Sequence, residues 1–390
     1  MTPQMADEAA YSDAQMDGFV GLLKNDLPDL RDNRGKRHSF VFVIVGFVLA
    51  TLTGRQTLSG IHRFIANRVD WLAKLTRAEA VKPVSRAHLP RLLDRLDWPV
   101  LVSLVEQCFG VRMACAGPLQ WVAVDGKALR GTPDAGDKQS LILAMAHDTR
   151  EVVAQARQSG AKSSEIPEVR TLLKDSGLER QKVSLDAHHF NPATLGQIHR
   201  AGGVYLVQAK ETQPVFLQQC QTVSTESAAL AETVGHDKAH GRVTTRRARL
   251  FSLASLTLDS RWNDSGLSTL LVVERETFDM RTKNTRSDTA YYASNAMAEA
   301  SAAGSLAREL AQAVRRHWGV ESNNWIRDAT FGEDGVKTKA GNQAQVMGLL
   351  RGLAIELIRK TMPKNFQATI DTFADSAQAL ESMLLLVKFL

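Results

Sequence analysis

The distribution of apolar and polar positions divides the chain into a helical opening, a run of strands and a helical close. Residues 40–52 (FVFVIVGFVLATL) are apolar on every side. At roughly a dozen residues this run falls short of the ~20 that a bilayer crossing needs, so it predicts a helix buried in protein. Residues 57–75 follow, with Ile61, Phe64, Ile65 and Leu72 near helical spacing, and 85–96 read as another helix.

From Leu119 the period shortens. Residues 121–124, 141–146 and 152–158 are apolar strands, separated by a Gly/Pro/Asp-rich turn at 131–138 and a short connection at 147–151, the pattern of an antiparallel meander. A helix at 166–174 follows, with Pro167 in its first turn, then a strand at 182–185. A helix at 192–200, closed by Gly202 and Gly203, and a strand at 204–209 complete the order βββαβαβ. Between 211 and 296 the segments 243–253, 267–275 and 290–294 read as strands. Helical pattern returns at 297–316, runs on through Trp318 and resumes at 343–360. The expected fold class is α/β: an N-terminal helical domain over 1–115, then a ribonuclease-H-like core over 116–390 with a β-rich insertion at about 211–296.

Carboxylates sit at telling places in this order. Asp125 ends the first apolar strand, with Gly126 expected to turn the backbone, and Asp186 ends the fourth. Two acids placed side by side repel unless a cation lies between them. A third is expected on a later helix, where Glu321 shares a face with Arg316, His317, Asn324 and Asp328 at three-to-four-residue spacing. Three oxygen ligands suit Mg²⁺ or Mn²⁺ and disfavour zinc; two such ions would activate a water or a 3′-hydroxyl for an in-line phosphodiester displacement. His188 and His189 beside Asp186 are expected to support or pack rather than ligate, and Trp318 and Trp325 to pack.

Charge permits a polyanionic partner without demonstrating one: Lys+Arg 48 against Asp+Glu 42 gives +6. Candidate phosphate contacts are Lys127, Arg130, Lys210, Arg242, Arg247 and Arg316. Strand alternation puts Arg247 and Arg249 on one face and Arg246 on the other, so one groove cannot collect them all. With 44% hydrophobic and 23% charged residues, composition excludes disorder and fibrous repeats. The three cysteines, Cys108, Cys115 and Cys220, have no metal-ligand spacing and read as inert thiols of a reducing cytoplasm. Residues 1–17 have no basic segment leading into an apolar one, so no secretory leader and no membrane association are expected.

These residues together resemble the DDE insertion-sequence transposases of the H-repeat-associated (ISAs-type) group. The likeness is carried by Arg34-Gly35-Lys36-Arg37-His38-Ser39, by Val124-Asp125-Gly126-Lys127 with Leu129-Arg130-Gly131, and by Asp186-Ala187. It is carried also by His317-Trp318-Gly319-Val320-Glu321, followed by 327–334 (RDATFGED). The resemblance implies Asp125, Asp186 and Glu321 as catalytic and metal-holding acids, with Mg²⁺ or Mn²⁺, two ions, as cofactor. It further implies cleavage at transposon ends, strand transfer into target DNA, and a dimer or larger assembly on that DNA, in the cytoplasm at the nucleoid. After Glu321 the segment is one residue shorter than the group's pattern, and one residue is ~100° on a helix, so Asp328 is expected to face elsewhere than its counterpart. Two alternatives stand beside this reading: a non-enzymatic DNA-binding descendant, and a structure-selective DNA nuclease.

Overall fold

The computed structural model describes residues 18–31, 36, 38–78, 82–109, 119–130, 140–158, 165–239, 241–335, 337 and 341–389. The turn at 131–138, Cys115, Arg34, Gly35 and Arg37 lie outside them. Among the described residues six helices come first: α1 (Phe19–Asp26), α2 (Phe40–Leu52), α3 (Leu58–Asn67), α4 (Val69–Thr76), α5 (His88–Asp94) and α6 (Trp98–Phe109). Every residue of α2 is buried, as its unbroken apolar pattern predicts. The single helix expected over 57–75 is two, because the backbone leaves helical geometry at Arg68, whose guanidinium lies over the Phe64 ring. Among the described residues no helix is long and apolar enough to cross a membrane.

The strands and helices that follow are β1 (Trp121–Ala128), β2 (Ser140–Ala146), β3 (Val152–Gln158), α7 (Glu165–Asp175), β4 (Lys182–Leu185), α8 (Pro192–Arg200) and β5 (Val204–Ala209). Then come α9 (Pro214–Glu226), β6 (Ala231–Ala239), β7 (Arg242–Ser252), β8 (Thr269–Asp279) and β9 (Thr285–Ser294). Among the described residues the strands β1 to β9 form one 9-stranded sheet in the order β3-β2-β1-β4-β5-β9-β8-β7-β6. β1, β4 and β5 run parallel, β2 and β3 complete the expected meander, and β9 pairs antiparallel with β5 from Leu206↔Ser294 to Ala209↔Tyr291. The strands read from sequence as an insertion thus extend the same sheet. The last helices are α10 (Ala303–Ala329), α11 (Gly341–Lys360), α12 (Phe366–Asp375) and α13 (Ala377–Leu386).

Strand alternation assigns the two faces. Val122 and Val124 of β1, with Val183 and Leu185 of β4, pack with Val169, Leu173, Leu195 and Ile198 of α7 and α8. Ala123 faces the other way, onto Val320 of α10. Ala303, Ala307, Leu310 and Ala313 carry α10 along that face over β5, β7 and β8. Small residues there let a 27-residue helix lie close to the sheet. Glu309 ties it down, accepting from Trp121 Nε1 (2.9 Å) and pairing with Lys182 Nζ (2.5 Å). The opening helices share a single apolar core with the chain's end: Phe19, Phe42, Leu49 and Leu101 pack with Leu350, Ile358, Leu384 and Phe389.

Candidate active site

Register brings the acids together. β1 and β4 pair in parallel with Val124 opposite Leu185, so Asp125 and Asp186 occupy the next rung. By alternation Asp125 follows Ala123 onto the α10 face, and Ser184, two residues before Asp186, does the same. On α10, Val320 packs against Ala123, Leu143 and Met145, which sets Glu321 beside this rung. Asp125, Asp186 and Glu321 all line one open cleft of about 1300 Å³, with Lys210, Arg246, Arg275, Arg315 and Arg316 in its wall.

The electrostatics record the crowding. Burial, then the charges of Asp186, Glu165 and Glu321, raise the Asp125 carboxyl to about 6. Burial and Asp186 also raise Glu321, against the pull of Lys210. Asn324, one helical turn past Glu321, donates its amide to Asp125 Oδ2 (3.0 Å). Asp186 caps a short 3-10 turn, Ala187–His189, accepting from the backbone N–H of His188 (3.0 Å) and His189 (3.4 Å). Among the described residues no three His, Cys, Asp or Glu side chains converge to hold one ion. The donor chemistry nonetheless fits Mg²⁺ or Mn²⁺: three oxygen ligands whose mutual repulsion a divalent cation would offset.

Sequence reasoning missed Glu165 as a member of this group. It opens α7, and His189 Nε2–H donates to it (3.0 Å), which holds its carboxyl below the ordinary range. The supporting role expected of His189 takes this form. Gly126 does not turn the chain; β1 runs on to Ala128, with Gly126 opposite Ile142. Its missing side chain instead makes room for Glu165, whose carboxylate would lie 2.4–2.5 Å from any Cβ. Gly126→Ala therefore pushes this flexible side chain away at a cost of ~1–2 kcal/mol. A thermal melt checks that loss, and the imidazole resonances of His189 report its separation from Glu165; an unmoved resonance would refute the packing argument.

A polar array stands behind Asp186. Ser184 Oγ lies 2.9 Å from His147 Nε2 and 2.8 Å from His317 Nδ1 and has Val122 O at 3.4 Å, so with a single hydroxyl proton it accepts from at least one imidazole. Burial, then the charges of His317 and Arg316, push His147 down to about 3; burial likewise takes His317 to about 4. Unfolded, both protonate near 6.5, so their contribution to stability is complete above that pH and is lost as pH falls toward the folded values. The loss is roughly 2 kcal/mol per imidazole by about pH 5. Melting temperatures between neutrality and pH 5 should therefore fall less steeply in His147→Gln than in wild type; parallel curves would contradict this.

Several expectations are corrected by placement. Lys127 is buried, pairing with Asp328 (2.8 Å) and Asp334 (3.0 Å) and donating to Ala128 O (3.0 Å), so it fastens α10 to β1. Asp328 faces that lysine. Arg130, Arg242 and Arg247 are exposed but do not line the cleft; Arg247 pairs with Glu232 (3.5 Å). Alternation did separate the cations of β7, and Arg246 is the one turned into the cleft. Lys210 and Arg316 are in its wall, Arg316 bonded to Asp148. Trp318 and Trp325 are not packed: they are 54% and 66% exposed, and Trp318 lines the cleft. Cys220 is buried with its thiol raised to about 12, as an inert cysteine should be.

A mixed sheet carrying paired aspartates, faced by a helix-borne glutamate, is an arrangement suited to phosphodiester chemistry on nucleic acid. Residues 117–357 match the family described as Transposase DDE domain, and residues 25–109 the family described as DDE_Tnp_1-associated; the chain belongs to the DDE transposase family. It is 23% identical over 346 residues to "Putative transposase YncI" of Escherichia coli O157:H7, covering 85% of each chain. It is 24% identical over 359 residues to "H repeat-associated putative transposase YhhI" of Escherichia coli strain K12, covering 88% of this chain and 90% of that one. A third relative, "Uncharacterized protein in dhlA 3'region" of Xanthobacter autotrophicus, is 27% identical over 272 residues, 66% of this chain and 90% of its own length.

Proposed function

We propose that this protein is a DNA transposase that cuts phosphodiester bonds at the ends of its element and joins the freed 3′ ends to target DNA. The observation that carries this is the juxtaposition of Asp125 and Asp186 on neighbouring parallel strands, facing Glu321 of α10 in a cleft walled by cations. These three carboxylates are the residues to hold Mg²⁺ or Mn²⁺. When bound, two such ions supply Lewis acidity to the scissile phosphate and to the oxygen that attacks it. The protein's own groups do the rest. Asn324 orients Asp125, and the backbone N–H groups at His188 and His189 fix Asp186. Lys210, which lines the cleft and whose charge acts on Glu321, holds a phosphate oxygen. The 1–115 segment and the core that follows act together on transposon-end and target DNA, as a dimer or larger assembly.

A second reading, DNA binding without cleavage, has a specific observation in its favour: Asp125 and Asp186 each accept hydrogen bonds from protein donors. One experiment separates the two. Purified protein is incubated with labelled duplexes taken from the DNA on either side of the gene, where terminal inverted repeats are expected, with and without Mg²⁺ or Mn²⁺. Metal-dependent nicking and joining is the expected result; binding without either would establish the second reading.

A further inference from the structure

Most arginines in the wall of the cleft already hold a carboxylate. Arg275 Nε donates to Asp288 (2.9 Å), and Arg316 bonds Asp148. The strongest case is Asp237 of the edge strand β6. Arg315 Nη2, on α10, reaches its Oδ1 (2.9 Å), while Arg246 Nη1, on β7, bonds its Oδ2. Two guanidinium groups carried by different elements thus meet on one anion, and both line the cleft that holds Asp125, Asp186 and Glu321. The two hydrogen bonds, with the charges behind them, hold the Asp237 carboxyl below its ordinary range.

We propose that Arg246 and Arg315 form a binding site for a backbone phosphate of the DNA, and that Asp237 is its resident stand-in, displaced when DNA enters. The inference rests on the DNA reading above and names how that site is regulated. Arginine holds carboxylate and phosphate through the same paired N–H geometry, so exchange keeps both guanidinium groups satisfied throughout. The carboxylate is tethered and competes at a high local concentration, which weakens every phosphate bound there. Asp237 is exposed enough to swing out without burying charge, its side chain being 28% accessible on a sheet edge. The acid thereby lowers affinity for arbitrary DNA and leaves tight binding to duplexes that make further contacts along the cleft.

The test is fluorescence anisotropy of a labelled mixed-sequence duplex with full-length protein over a range of salt. Asp237→Asn should bind roughly 3–10-fold tighter than wild type, and its log K against log salt slope should steepen by about one, the increment for one more phosphate neutralised. Glu232→Gln makes the same charge change on β6, but its partner Arg247 lies off the cleft, so it should leave both quantities near wild type. Arg315→Gln, at an exposed helix position, should weaken binding, and the loss it causes should be larger measured against Asp237→Asn than against wild type. An Asp237→Asn protein that melts like wild type yet binds no tighter than Glu232→Gln would overturn the proposal, as would weaker binding, which would make Asp237 an aligner of the arginines. Should Asp237→Asn fail to fold, unchanged binding by Arg315→Gln alone overturns it. If wild type binds no duplex at all, the DNA reading itself falls, and this inference with it.

Discussion

Asp125→Asn is expected to abolish cleavage of end DNA while raising the melting temperature of the protein. The loss should be about three orders of magnitude or more, because residues that act as one unit fail together, and Glu321→Gln should match it. The gain in stability has a separate origin. Burial and the charges of Asp186, Glu165 and Glu321 lift the Asp125 carboxyl from its ordinary 3.8 to about 6, so the folded chain binds this proton more tightly than the unfolded one. Between about pH 4 and 6 wild type therefore loses stability as pH rises, and the deficit stays constant above that window. Asparagine keeps the shape and the bond to Asn324 after an amide flip, and carries no charge. Allowing for water at this partly exposed carboxylate, the gain is ~1–2 kcal/mol at neutral pH. Mg²⁺ should raise the melting temperature of wild type by mass action and leave the variant unmoved. A variant that still nicks DNA would remove Asp125 from the site, and one that melts lower would make the carboxylate structural.

The second large effect concerns the far end of α10. Arg327→Met should cost about 3–5 kcal/mol, the usual consequence of leaving a buried charge unpaired. Arg327 and Glu333 each keep only 2% of their side-chain surface, and the guanidinium is bidentate, Nε to Oε2 at 2.9 Å and Nη2 to Oε1 at 3.0 Å. Nη2 also donates to Gly348 O of α11 (2.6 Å), and Gly352 leaves space where a Cβ would come within 2.9 Å of Nη1. Arg351, 3.9 Å from Glu333, is itself lowered to about 10, chiefly by burial. Replacing all three by apolar residues, Arg327→Met, Glu333→Leu and Arg351→Met, should recover most of the loss, since the packing survives and no charge is stranded. Urea denaturation reads both results as a shift in midpoint at constant slope. A single variant within ~1 kcal/mol of wild type would show that water reaches the pair.

How far the sequence reveals this molecule depends on the range of each interaction. β1 to β5 with α7 and α8 follow from local periodicity, and the rung of Asp125 and Asp186 follows from their order. The glutamate on α10 is legible through the same pattern and through the segment His317 to Glu321. What the sequence hides is partnership at long range. Lys127 looks like a phosphate ligand beside Asp125 until Asp328 and Asp334, about 200 positions later, take its charge. Gly126 looks like a turn until Glu165 is found against it. The two tryptophans look like core because indole area usually is buried, yet both lie on an exposed stretch of α10. Arg246 and Arg247 differ only by parity, and which parity faces the cleft is decided by the course of α10 over the sheet.

The pairing of α1 with the residues that follow α13 bears on how the fold is completed. Phe19 N donates to Lys388 O (3.1 Å) and Val20 N to Phe389 O (3.0 Å), while the Phe19 and Phe389 rings lie 5.4 Å apart. Domains ordinarily fold in order as they leave the ribosome. Here α2 is covered by α11 and α12, which lie far along the chain, so its apolar surface stays open until those helices have been made. A chain that lacks α11 to α13 therefore leaves α2 as an uncovered apolar helix, a substrate for chaperones and proteases.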